Sequence, residues 1–250
     1  MIRRGILLVG FLLSAAVSAE ELGQNERAQF AKQIINEVHV TDLYARIAGQ
    51  WVSQFASVGE KIAQQAATKP EDRAKLTSVL ELALIKSAQS RFIDAPTAQA
   101  EASLATSPAL TSLKDYQWLK SFVESSLGKK LVQLILFGSA DEASNLAEHR
   151  SGVGSKSFEQ RQAEMIAAFT PQEAADWKVL NTSPERQRLA GTLFNTVLSG
   201  MKADQGKTPE DKKVAWRRNA NRIICDALND VKTDGYSLDQ SAFEHFCTAS

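Results

Sequence analysis

Apolar residues recur along this chain at steps of three and four, the spacing of one face of an α-helix. A clear run covers residues 44–62, and Lys69-Pro70 follows it as a stop signal. A second run covers residues 70–93 and meets Asp94-Ala95-Pro96, which we expect to break the helix. The two runs predict two long helices that form a hairpin.

Several later segments begin with a hydroxyl residue that precedes a proline or a leucine and is followed by a carboxylate. The hydroxyl can cap the free N–H groups of a first helical turn, and the carboxylate can complete a capping box. Proline is tolerated at the first helical position because its missing N–H has no partner there. The segments are Thr170-Pro171-Gln172-Glu173, Thr208-Pro209-Glu210-Asp211, the shorter Ser183-Pro184-Glu185 and the weaker Ser112-Leu113-Lys114-Asp115.

Residues 131–137 are apolar except for Gln133, which is compatible with a buried strand or a buried helix. The segment lies between helical patterns, and no second alternating segment is present to pair with it, so we favour the helix. The predicted fold class is therefore all-α, a helical bundle of stacked helical hairpins.

Two stretches of the chain match each other at an offset of 58 residues. Each is patterned as a capped short helix, a serine-containing turn and a longer apolar helix, which indicates an internal duplication. Two independent helical hairpins would give similar periodicity and are the alternative. The matched pairs are Ser112 with Thr170, Asp115 with Glu173, Leu119 with Trp177, Phe122 with Leu180, Ser125 with Ser183, Leu131 with Leu189, Ile135 with Leu193 and Leu136 with Phe194.

The segments 169–173, 180–184 and 125–130 carry a family resemblance. Phe-Thr-Pro-Gln-Glu, Leu-Asn-Thr-Ser-Pro and Ser-Ser-Leu-Gly-Lys-Lys resemble the signature of the domain of unknown function 2059 family over about residues 115–201. The chain departs from that signature at Glu185, where the family favours glycine, and at Leu127, where it favours proline. The resemblance implies an exported, all-helical bacterial protein and supplies no catalytic residues.

The N-terminus has the composition of a secretory signal peptide. Arg3 and Arg4 precede an apolar run at 6–13, and Val17-Ser18-Ala19 offers the small residues that signal peptidase needs. We expect residues 1–19 to be removed after Ala19, which predicts a periplasmic or secreted protein; an uncleaved anchor is the alternative. No later segment is apolar enough over sufficient length to span a bilayer.

The mature chain is predicted to have three parts. These are an N-terminal helical hairpin region at 20–96, a linker or short helix at 97–111, and a C-terminal helical region at 112–250. The two cysteines, Cys225 and Cys247, lie in the last part. An even count in an oxidising compartment favours one structural disulfide that pins the tail, and two free thiols are the alternative.

Charge is balanced, with 29 basic and 29 acidic residues, so nucleic acid is not an expected partner. The densest basic segment contains Lys212, Lys213, Arg217, Arg218 and Arg222. Together with Trp216, this segment is a candidate contact for an anionic lipid, peptide or protein of the envelope, with Lys213, Arg217 and Arg218 as the basic residues. A solvated helix face is the alternative.

Motifs for catalysis or metal binding are weak. His39, His149 and His245 do not have metal-ligand spacing. Ser126-x-x-Lys129 and Ser199-x-x-Lys202 match S-x-x-K, but the companion S-D-N and K-T-G motifs are missing. The residues at 230–241 deviate from a calcium loop because Lys232 stands at an oxygen-ligand position and Ser241 at that of the bidentate glutamate, so we expect an ordinary turn at Asp234-Gly235. No cofactor is expected.

The sequence therefore favours a non-enzymatic binding or interaction protein of the cell envelope, with an unknown ligand. Two alternatives stay open. One is an envelope hydrolase with an unrecognised site, and the other is a periplasmic immunity-type inhibitor of a toxin.

Overall fold

The computed structural model describes residues 22–138, 156–201 and 209–248, and all regular secondary structure in these ranges is helical. This confirms the predicted all-α class. None of the described helices is both long and apolar enough to cross a membrane. The helices are α1 (Gln24–Glu37), α2 (Val40–Ala56), α3 (Gly59–Ala66), α4 (Arg73–Gln89), α5 (Ala95–Ala105), α6 (Leu113–Glu124), α7 (Ser126–Val132), α8 (Phe158–Ala167), α9 (Pro171–Thr182), α10 (Pro184–Met201), α11 (Pro209–Thr233) and α12 (Gln240–Cys247).

The apolar run predicted as one helix before Lys69-Pro70 is divided into α2 and α3 by a turn at residues 57–58. The turn brings α3 against α4, where Gly59 contacts the backbone of Glu81. A Cβ atom at position 59 would lie only 3.1 Å from the Glu81 amide nitrogen. The predicted hairpin is therefore formed by α4 with both α2 and α3.

The helix break predicted at Asp94-Ala95-Pro96 is wrong. The chain passes from α4 through a π-helical segment, Ser90–Asp94, directly into α5. Proline is accommodated in the first turn of α5, and the Thr97 hydroxyl donates to the Ile93 carbonyl at 2.7 Å. Most of the range predicted as a linker or short helix is thus the helix α5, which buries Leu104 completely.

The buried apolar residues form two clusters. The first core is built from α1, the start of α2, α5, α6, α7, α9 and α10, together with a second π-helical segment, Gln133–Phe137. The second core is built from the end of α2, α3, α4, α11 and α12. The apolar segment 131–137 is helical, as predicted, and its buried residues belong to the first core.

These cores are not divided along the predicted ranges 20–96 and 112–250. Helix α1 joins the first core, whereas α11 and α12 return from the C-terminal region to pack on α3 and α4. Two ion pairs join α11 to the end of α4 and the π-helical segment that follows it. The Arg91 guanidinium lies 3.1 Å from the Asp226 carboxylate, and the Lys86 ammonium lies 3.4 Å from that of Asp230.

A disulfide joins Cys225 of α11 to Cys247 of α12, as predicted, with the two Cα atoms 5.0 Å apart. It holds α12 on the second core, where Phe243 and Phe246 pack against the buried cluster. A turn with Gly235 at φ 92° connects the two helices. The expected turn at Asp234-Gly235 is therefore present.

The two stretches that match at an offset of 58 fold into equivalent units. Helices α6 and α9 each have 12 residues, and a single serine, Ser125 or Ser183, separates each from the next helix. Both units begin with a capping box, in which Ser112 bonds Asp115 and Thr170 bonds Glu173. The structural equivalence extends over both caps and both turns, which amphipathic periodicity alone does not require.

The two units also exchange contacts through equivalent basic residues. Lys130 donates to the Glu173 carboxylate at 2.8 Å and to the Ala168 carbonyl, both at the cap of the second unit. Arg188 lies 58 positions after Lys130 and donates to the Ala109 carbonyl, before the cap of the first unit. Each unit therefore contacts the segment that leads into the first helix of the other.

Candidate interaction surface

Helix α11 is the longest described helix, with 25 residues that span about 37 Å. Its apolar face lies in the C-terminal part of the helix. Among the side chains that the structure describes on α11, the first buried one belongs to Ala220. The buried residues of α11 are Ala220, Ile223, Ile224, Ala227, Leu228 and Val231.

The packing of α4 explains why burial begins so late in α11. The ion pairs at residues 86 and 91 show that α4 and α11 run antiparallel, so α11 extends N-terminally past the end of α4. After the end of α4 the chain continues into α5, which packs on α1 and α10. Residues 209–219, which we call the α11 overhang, make up about 16 Å of helix before Ala220, the first buried residue among those described.

The overhang carries the predicted basic segment. Arg217 and Arg218 are exposed, as are Arg222, one turn further on, and the apolar Val214. Within the described part of the chain, these three arginines form no hydrogen bond or ion pair. The side chains of Lys213 and Trp216 lie outside the described residues, so their predicted role stays a prediction.

Charge on the overhang is strongly asymmetric. Residues 209–219 contain four basic residues against Glu210 and Asp211, a formal charge of +4 − 2 = +2, and Arg222 adds a further positive charge one turn later. The backbone N–H groups at the start of α11 add positive potential at the same end of the helix. Helical register places residues 213 and 217 on the line that the buried positions 220 and 224 continue, so the face that is apolar within the core becomes basic on the overhang.

The S-x-x-K motifs do not assemble a nucleophile and a base. The Ser126 hydroxyl donates to the Glu173 carboxylate at 2.6 Å, whereas the Lys129 ammonium lies 3.7 Å from the Glu37 carboxylate. In the second motif the Ser199 hydroxyl donates to the Thr196 carbonyl at 2.7 Å. Lys202 lies outside the described residues. The Ser126–Glu173 contact belongs to the junction between the two repeated units.

The two carboxylates at the repeated caps are buried and remain ionised. Hydrogen bonds from Lys130, then from the Ser126 hydroxyl and the Thr170 amide, lower the pKa of Glu173 to about 2. Burial acts to raise the pKa of Asp115, but hydrogen bonds from the amides of Ser112 and Thr111 outweigh it and lower that pKa. Glu173 thus joins α9 to α7, and Asp115 caps α6.

Histidine and acidic residues form no cluster of three that could hold a metal ion within residues 22–138, 156–201 and 209–248. The His245 ring packs edge-on against Phe246, and Asp230 is paired with Lys86. His39 occupies the turn between α1 and α2 with φ 57°, directly after Val38, the C-cap of α1. His149 lies outside the described residues.

A groove that the sequence did not indicate lies beside His39. It has a volume of about 460 Å³ and is formed by the turn between α1 and α2, the end of α6, α7 and the π-helical segment that follows. Its charged residues come from distant positions, which is why no local spacing reveals them. The groove residues are Glu37, Val38, His39, Asp42, Val123, Lys129, Val132, Gln133 and Phe137.

Comparison with protein-family models, with curated proteins and with solved structures finds no match to this chain.

Proposed function

We propose that this protein is a non-enzymatic binding protein of the cell envelope, which attaches to phosphate-bearing lipid head groups through the α11 overhang. The observation that carries the proposal is the group of exposed arginines at positions 217, 218 and 222, which have no partner among the described residues. Arg217 and Arg218 lie on the overhang, of which no described side chain belongs to either core, and Arg222 is exposed one turn further on.

Three physical arguments support this choice of partner. The arginine guanidinium is planar and can donate two parallel hydrogen bonds to a phosphate group. A basic helical segment that also carries apolar residues, here Val214 and Trp216, is typical of helices that bind at a membrane surface. Basic residues near an anionic bilayer contribute about 1 kcal/mol each.

The envelope location rests on the signal-peptide pattern at residues 1–19 and on the resemblance of residues 115–201 to an exported family. The bond between Cys225 and Cys247 agrees with it, because disulfides persist in oxidising compartments. We propose that the mature chain begins after Ala19 and acts in the periplasm or outside the cell.

Co-sedimentation with vesicles tests the proposal. We expect the mature protein to bind vesicles that contain phosphatidylglycerol and not vesicles of phosphatidylcholine alone, with binding that weakens as salt is added. Arg217→Glu with Arg218→Glu changes the charge by four units. At about 1 kcal/mol per charge, the double variant should bind about 1000-fold more weakly.

A matched control separates the overhang from total charge. Lys114→Glu with Lys178→Glu makes the same charge change at exposed positions of α6 and α9, outside the overhang. The control should bind almost as tightly as the wild type. Equal losses in the two double variants, or equal binding to neutral vesicles, would contradict the proposed surface. Binding only to an acidic protein would replace the lipid with a different partner.

A further inference from the structure

The groove beside His39 combines charges of both signs with an apolar floor. Val123 and Val132 are buried beneath it, and Phe137 packs partly against the first core. On the rim, Glu37 and Asp42 supply carboxylates, and Lys129 supplies an ammonium group. A few polar groups that converge over an apolar surface are typical of small-molecule sites.

The charged groups on the rim are near each other without being joined by hydrogen bonds. The Lys129 ammonium lies 3.7 Å from the Glu37 carboxylate, and the His39 imidazole lies 3.5 Å from the Asp42 carboxylate. Charge-assisted hydrogen bonds are shorter, at about 2.7–2.9 Å. All four side chains are more than one-third exposed, so each retains donors or acceptors that a ligand can use.

The backbone holds these groups in place. Among the described residues, His39 is the one non-glycine residue with a positive φ, a conformation in which glycine would be less strained. Its amide donates to the Asn36 carbonyl, and its own carbonyl accepts from the Leu43 amide. These two bonds hold the turn that places His39 between Glu37, at the end of α1, and Asp42, in the first turn of α2.

We infer that this groove binds a small zwitterion, a molecule that carries one ammonium and one carboxylate group. The ligand ammonium pairs with the carboxylates of Asp42 and Glu37, and the ligand carboxylate pairs with Lys129. An apolar side chain between the two groups covers Val132 and Phe137. A free amino acid and the end of a peptide share this chemistry, and the volume of about 460 Å³ accepts either.

Calorimetric titration of the mature protein tests the inference with four probes. L-Leucine and the dipeptide alanyl-leucine are zwitterions with an apolar side chain. N-acetyl-leucine lacks the ammonium group, and leucinamide lacks the carboxylate. We expect binding of leucine, of the dipeptide or of both, and at least about 10-fold weaker binding of each blocked analogue. Tighter binding of leucine would identify the natural ligand as a free amino acid, and tighter binding of the dipeptide would identify it as a peptide end.

Matched variants assign the binding to the groove. Lys129→Gln and Asp42→Asn each remove one charge. Each should weaken binding of the zwitterion about 10-fold and leave the helicity of the protein unchanged. Lys120→Gln is the control, because Lys120 is half-buried on α6, pairs with Glu124 and does not line the groove. Failure of both zwitterions to bind at about 10 mM would overturn the inference, as would equal binding of the blocked analogues. Either failure leaves the proposal for α11 intact, because the groove belongs to the other core.

Discussion

Removing the disulfide between Cys225 and Cys247 should destabilise the second core by a predictable amount. The bridge closes a loop with a sequence separation of 22 residues. A cross-link of that span lowers the entropy of the unfolded chain, which corresponds to about 3 kcal/mol at 25 °C in the chain-entropy account. For a chain of 250 residues, that change lowers Tm by about 6–12 °C.

The double variant Cys225→Ser with Cys247→Ser is the appropriate perturbation because it leaves no free thiol. Its free energy of unfolding in urea is compared with that of the wild type, which is measured both with the disulfide intact and after reduction. We expect the reduced wild type and the double variant to lose about the same 3 kcal/mol, and reductant to have no effect on the variant. The denaturant slope should rise in both, because the unfolded chain without the cross-link exposes more surface.

A loss below about 1 kcal/mol with an unchanged denaturant slope would refute this reasoning. It would mean that α12 adds little to the second core, so that without the bond it separates from α11 before the core unfolds. Thiol titration supplies the control for the starting material. The denatured, unreduced wild type should contain no reactive thiol, since both cysteines are joined.

Two further predictions concern the junctions of the repeated units. Gly128→Ala places a Cβ atom against the Phe122 carbonyl, 2.7 Å from its carbon, and should lower the free energy of unfolding in urea by about 3 kcal/mol. Gly191→Ala is the control, because position 191 lies in open space on α10, and it should stabilise the protein slightly. Equal effects of the two substitutions would contradict the close approach at Gly128. The lowered pKa of Glu173, about 2, means that its ionised form stabilises the fold above the ordinary pKa near 4.5, and that this contribution is lost as the pH falls from about 5 to about 2. Glu173→Gln should therefore flatten the decline of Tm over that range, and an unchanged slope would show that other carboxylates cause it.

The sequence determined the local structure of this protein because capping and periodicity act over a few residues. The hydroxyl–carboxylate pairs at Ser112 and Thr170 are capping boxes, as their spacing predicts. The two stretches that match at an offset of 58 both have a capping box, a 12-residue helix and a serine turn, because the capping residues and the serine recur at the same offset. The pairing of Cys225 with Cys247 could be predicted because the chain contains only these two cysteines.

The tertiary structure decided what depends on contacts between distant residues. Pro96 was expected to end a helix, but a π-helical segment accommodates it and carries the chain into α5. The return of α11 to α4 divides the cores along lines that no linker composition marks. That return also leaves the arginines of the α11 overhang exposed, and the crossing of α7 beside the turn at His39 assembles the groove. A periodic pattern reports which face of a helix is apolar, but only packing decides where along its length that face is covered.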